Sequence, residues 1–115
     1  MKHSVEYYLS KGYDSKAAEY FAQGRKRLTA VVPNPDYTLT LTYGTEKRLY
    51  DMRPILQKGG VFEHIRLWED FRRVYIDDTH SIAWDIDPNV DSTAVWSNLI
   101  DLCPDSCYID SKPLE

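Results

Sequence analysis

Asp51–Asp91 reads DMRPILQKGGVFEHIRLWEDFRRVYIDDTHSIAWDIDPNVD. Pro54 suits the first turn of a helix, where its fixed φ costs nothing and its missing N–H is not needed. A short helix is therefore expected over Arg53–Lys58, with Gly59-Gly60 breaking it. Val61–Phe71 then carries Val61, Ile65 and Trp68 on one stripe, with Phe62, Leu67 and Phe71 nearby, as an amphipathic helix does. Beyond it, Arg73–Asp77 and Ser81–Asp85 place Val74, Ile76, Ile82 and Trp84 at period two. The short polar connection Asp77-Asp78-Thr79-His80 should join these two runs as a hairpin. Asp91 is placed to cap a short helix through Trp96.

Upstream, the cleanest alternation in the chain is Asp36–Tyr43. Tyr37, Leu39, Leu41 and Tyr43 point one way, and Asp36, Thr38, Thr40 and Thr42 the other, which marks a half-buried antiparallel strand. Leu28–Val32 precedes it across the turn Pro33-Asn34-Pro35-Asp36, and Gly44 leads into a third strand, Lys47–Asp51. Two helices come first. Ser4 caps one carrying Val5, Tyr8 and Leu9, stopped by Gly12; Asp14 or Ser15 caps SKAAEYFAQGRKR, with Ala17, Phe21 and Leu28 along one side. Arg25-Lys26-Arg27 should close that second helix, where cations suit its negative end.

The expected fold is α+β: a small antiparallel sheet, made of a three-strand meander plus a hairpin, with short helices packed mainly on one face. All 115 residues fit a single domain. A helical extension over 4–27 opens it, and an irregular, turn-rich tail over 102–115 closes it. Leu39, Leu41, Val74, Ile76, Ile82 and Trp84 are the expected buried strand residues, joined by Phe21, Phe62, Ile65 and Phe71 from the helices.

A formal net charge of −4 works against non-specific attraction to nucleic acid, so a nucleic-acid partner is disfavoured. No apolar run approaches the roughly 18 residues of a membrane span. MKHSVEYYLSKG has Glu6 and two tyrosines where a signal peptide needs an apolar stretch, which makes the cytoplasm the expected location. Cys103 and Cys107 are too few for a structural zinc site, which takes four ligands, and are read as reduced structural thiols.

Asp85-Ile86-Asp87-Pro88-Asn89-Val90-Asp91 mimics a calcium loop, with oxygen-bearing side chains at alternate positions. Val90 stands where such a loop needs glycine, and Trp96 where it needs a bidentate glutamate, so a turn is the better reading. His3, His64 and His80 lie in different elements without ligand spacing. No serine, cysteine or threonine is paired with a base, and the glycines form no phosphate loop. No residue is assigned to catalysis, a cofactor or a metal, and enzyme activity is disfavoured. Tyr50, Asp51, His64, Trp84, Asp85 and Asp87 are the candidates for a pocket or interaction site at one end of the sheet.

LTLTYGTEKRLYDM, RPILQKGGVFEHI, LWEDFRRVYID and SIAWDIDP, in a core of about 28–91, together resemble the bacterial family catalogued as domain of unknown function 2442. The flanking pieces YYLSKGYDSKAAEYFAQGRKRL and IDLCPDSCYIDS look like a long-form subgroup from anaerobic Gram-positive bacteria. The resemblance implies a small α+β fold and no catalytic residues. It also implies two regulatory settings, an added helix-turn-helix or a toxin–antitoxin-like pairing. This chain has no residues left over for a helix-turn-helix. The family's Trp-Pro-Asn-Gly turn is here Trp84-Asp85-Ile86-Asp87.

The functional expectation is a small non-enzymatic protein-interaction or regulatory module. A nucleic-acid-linked transcriptional or antitoxin-like regulator is the first alternative, resting on Arg25-Lys26-Arg27 and Arg72-Arg73. A small-ligand binder or enzyme with an unrecognised pocket is the second. Self-association is expected as a homodimer through a sheet edge or through aromatic residues displayed beside it, with Lys47 and Arg48 guarding one edge and Leu28–Val32 unguarded.

Overall fold

A computed structural model describes residues 3–114; Glu115, the last residue of the expected tail, lies outside it. Helices α1 (Val5–Ser10) and α2 (Ser15–Gln23) open the chain. Ser4 and Asp14 cap them through the Tyr7 and Ala17 amides. Helix α2 ends earlier than the sequence suggests. Gly24 takes φ 97°, a backbone that ends the helix, so Arg25-Lys26-Arg27 fall outside it. Leu28 belongs to the following strand and not to the helix face, and Ala18 and Tyr20 are the residues that α2 buries.

Strands β1 (Leu28–Pro33), β2 (Thr38–Tyr43) and β3 (Glu46–Asp51) form the expected antiparallel meander. Tyr37 has φ 65° and stands before the strand, so its alternation with Leu39 is not backbone alternation. Its ring still packs against Trp68 and Phe71. Leu39 and Leu41 are fully buried on the inner face. The threonine face is less open than expected at one end, where Thr38 is buried and bonded by Asn34.

Helix α3 spans Arg53–Lys58 as expected, but Val61–Phe71 is not one helix. Gly59 and Gly60 both take positive φ, a 3-10 turn follows at Gly60–Ile65, and Leu67 is extended before the single turn α4 (Trp68–Phe71). The break turns Ile65 and Phe71 into the core and leaves Val61 and Leu67 exposed. Strands β4 (Tyr75–Ile76) and β5 (Ile82–Asp85) make the expected hairpin. It is shorter than the sequence pattern because Arg73 and Val74 are still bonded to the α4 turn.

The hairpin does not extend the meander. It builds a second antiparallel sheet with β6 (Leu99–Leu102), in the order β4-β5-β6. Nor is the tail irregular. Pro104 starts helix α5 (Pro104–Asp110), which buries Cys107, and β7 (Lys112–Pro113) pairs with β3 to give the order β1-β2-β3-β7. Lys47 and Arg48 therefore do not guard an edge: Leu114 donates its amide to the Lys47 carbonyl, and Arg48 is bonded to Ser111.

The inner faces of both sheets share one core with α3, α4 and α5. Trp84 at its centre is fully buried, its indole N–H donating to the Phe71 carbonyl at 2.9 Å. Burying a side chain of this kind contributes about 1.5–3 kcal/mol. Val74, Ile76, Phe21 and Phe62, expected in the core, are only half-buried. Met52, Ile100 and Tyr50 stand there instead.

Candidate functional site

The six residues singled out from the sequence are distributed over different environments. Tyr50 is in the shared core, where burial, followed by the nearby Cys107, raises its hydroxyl pKa. Trp84 is in the same core. Asp51 is exposed at the end of β3 and holds Arg53 in a two-pronged bond, at 2.9 and 3.0 Å. His64 is exposed in the 3-10 turn after α3. Asp85 and Asp87 flank the start of the loop over residues 86–98. Of the six, Asp85 lines a cleft.

Strand register explains why Asp85 parts company with Trp84. Tyr75 pairs with Ala83 and Ala83 with Asp101, while Asp85 pairs with Leu99, so these residues share the outer face of the second sheet. Loop 86–98 folds over that face, where Ser92 bonds Asp85 and Ala83 is fully buried. Asn98 fastens the loop. Its side-chain oxygen accepts from the Asp87 amide, and its side-chain nitrogen lies within bonding reach of the Asp87 and Val90 carbonyls and of Ser92 Oγ. The expected helix from Asp91 to Trp96 is a single turn, because Val95 is extended and the chain re-enters as a 3-10 turn at Trp96–Asn98. Asp91 does cap that turn, accepting from the amide and hydroxyl of Thr93.

Two adjoining hollows result, of about 440 and 510 Å3. Both are bordered by Tyr75, Ser92 and Thr93. The first adds Ile76, Asp77, Asp78, Thr79, Trp96 and Leu99; the second adds Asp85 and Asp91 among others. Asp85 accepts hydrogen bonds from the Tyr75 hydroxyl at 2.8 Å and from Ser92. Burial, and then Asp85, push the Tyr75 hydroxyl up to about 12. Thr93 holds the Asp91 carboxyl below its ordinary range. Partial burial works against Asp77, but bonds from Thr79 and Ser81 outweigh it and hold that carboxyl low as well. Trp96 is 84% exposed.

Among the described residues, the two hollows together carry four aspartates and no lysine, arginine or histidine. Among the described residues, no group of three or more His, Cys, Asp or Glu side chains is arranged to hold a metal ion. What the site offers is negative potential, hydroxyl groups and an aromatic face. Of the residues that build these hollows, the sequence singles out Asp85 and not Tyr75, Ser92, Trp96 or the fastening Asn98. Trp96 appeared to end a helix, and nothing in the local pattern showed that residues 86–98 fold back over a sheet.

A further cleft of about 400 Å3 lies between Tyr37, Arg53, Leu56, Gln57 and Arg66. Its arginines are engaged, Arg53 with Asp51 and Arg66 with the Leu56 carbonyl. The basic triplet is dispersed over three partners: Arg25 with Asp105, Lys26 near Glu46, and Arg27 with His80. Arg73 is paired with Asp70 at 2.7 Å.

Compared with models of protein families, with curated proteins and with solved structures, the chain finds no match. No helix among the described residues is long and apolar enough to cross a membrane.

Proposed function

We propose that the protein is a non-enzymatic interaction module whose contact surface is the Trp96 cleft. The supporting observation is Trp96 itself. An indole left 84% exposed on a turn fastened by Asn98 is presented, not stored. Tryptophan is enriched among the residues that dominate interface energies, and Val95 beside it is also exposed. Membership of the domain of unknown function 2442 family belongs to the same proposal and adds no chemistry to it. A photo-reactive amino acid at position 96, introduced in living cells, tests the reading, with position 58 on the exposed end of α3 as control. A discrete adduct from position 96 alone is the expected result. Equal labelling from both sites, or none, would remove the support.

Self-association is favoured by a separate observation. Strand β1 is the outer strand of its sheet, and Val32 on it is 53% exposed. A bulge between Leu28 and Ala30 and the closing Pro33 limit the usable edge to a few residues. Sedimentation equilibrium over a wide concentration range should show a concentration-dependent mass. A value fixed at 13.4 kDa throughout would exclude the homodimer.

A further inference from the structure

We infer that the occupant of the Trp96 cleft is a cationic side chain, arginine or lysine, carried on an extended segment of a protein partner. The inference rests on the proposed interaction role and specifies its chemistry. Ile76, Leu99 and Trp96 provide the apolar surface along which the methylene stem of a long cationic side chain lies. Indole is also the aromatic ring that attracts a cation most strongly. The acids divide into two groups. Asp85 is engaged by Tyr75 and Ser92, Asp91 by Thr93, and Asp77 by Thr79 and Ser81. Asp78 is exposed at the lip of the cleft, and no hydrogen bond or ion pair of its side chain appears among the described contacts.

The three engaged carboxylates thus set a fixed negative field, and Asp78 is the one available to close on a charged head group. Among the described residues, no cation lines the cleft to neutralise that field. Four aspartates make an anionic occupant unfavourable, and the absence of a converging ligand set among the described residues argues against a metal ion. Strand β6, which contributes Leu99, is the outer strand of its sheet, so an extended segment finds unpaired backbone groups beside the cleft.

The test follows the Trp96 indole N–H signal of the full chain while capped hexapeptides are added. The peptides are identical except for one central residue: arginine, lysine, citrulline or glutamate. Arginine and lysine peptides should shift the signal. Citrulline, which keeps the shape and loses the charge, should bind about tenfold more weakly, the scale of one charge-assisted hydrogen bond. Asp78→Asn should weaken the arginine peptide severalfold, raised salt should do the same, and Asp110→Asn at the exposed end of α5, outside the cleft, should change it little. Amide spectra of both variants confirm that the fold persists.

Equal binding of arginine and citrulline peptides, equal losses in the two variants, or no shift with any peptide would overturn the inference. An adduct at position 96 in cells without cationic preference would leave the interaction role standing and remove only its chemistry. Cationic binding without any adduct would do the reverse.

Discussion

Glu46 on β3 and Asp85 on β5 are both carboxylates at strand ends, yet the chain surrounds them differently. Glu46 accepts from the Tyr108 hydroxyl and pairs with Arg48 at 2.8 Å, with Lys26 nearby. Arg48 in turn binds Ser111 and stacks over the Tyr108 ring, so the acid knits α5 and β7 to the meander. Asp85 has only the neutral hydroxyls of Tyr75 and Ser92. Charge around the first sheet is neutralised from within the molecule. Asp85 forms no ion pair among the described residues, and on the proposed reading polar groups of similar type serve architecture in one place and recognition in the other.

The sharpest way to break this contrast is through the core that both sheets share. Leu41→Ala should cost about 2–5 kcal/mol in denaturant unfolding, as large-to-small changes in packed cores do, and Thr40→Ala well under that. Equal losses would mean that the inner and outer faces of β2 are wrongly assigned. Asn98→Ala comes next. It strips partners from the loop over the second sheet and should cost about 1–3 kcal/mol, the range for orphaned buried polar groups. A cost near zero would show that the loop is held by something other than Asn98.

Acid titration compares the two regions directly. Hydrogen bonds hold the Asp91 carboxyl low in the second region. Bonds from Tyr108 and Arg48 do so for Glu46 in the first, against the opposing effect of partial burial. A carboxyl depressed in the folded state contributes stability that is complete above its unfolded value of about 4 and is lost as pH falls through the folded value. Carbon-detected NMR should show Thr93→Val raising the Asp91 value and Tyr108→Phe raising that of Glu46. The smallest expected effect belongs to Trp96→Ala, which should change stability by no more than about 0.5 kcal/mol, as for an exposed side chain without structural partners. A larger loss would make Trp96 a packing residue and weaken the proposed role.

Much of the fold was legible because it rests on local rules. Alternation gave β2, Pro54 and the glycine pair gave α3, and Asp77-Asp78-Thr79-His80 gave the hairpin. The failures came where long-range contacts decide. Val61–Phe71 has helical spacing, but Ile65 and Phe71 reach the core only through the extended break at Leu67. Leu99–Leu102 is too short to announce itself and becomes a strand because β5 is there to pair with it. At the candidate site, Asp85 stood out as an acid after a tryptophan strand. Its partners come from β4 and from the folded-back loop, a proximity that no spacing rule contains.

Strand β7 is only two residues long, but it has a consequence for how the protein is made. It supplies the partner of β3, yet it leaves the ribosome long after the meander is complete. Until Lys112–Leu114 emerge, the nascent chain carries an open strand edge of the kind that recruits other chains. Ribosomes stalled before that point should therefore bear intermediates more prone to aggregate than chains that have released it.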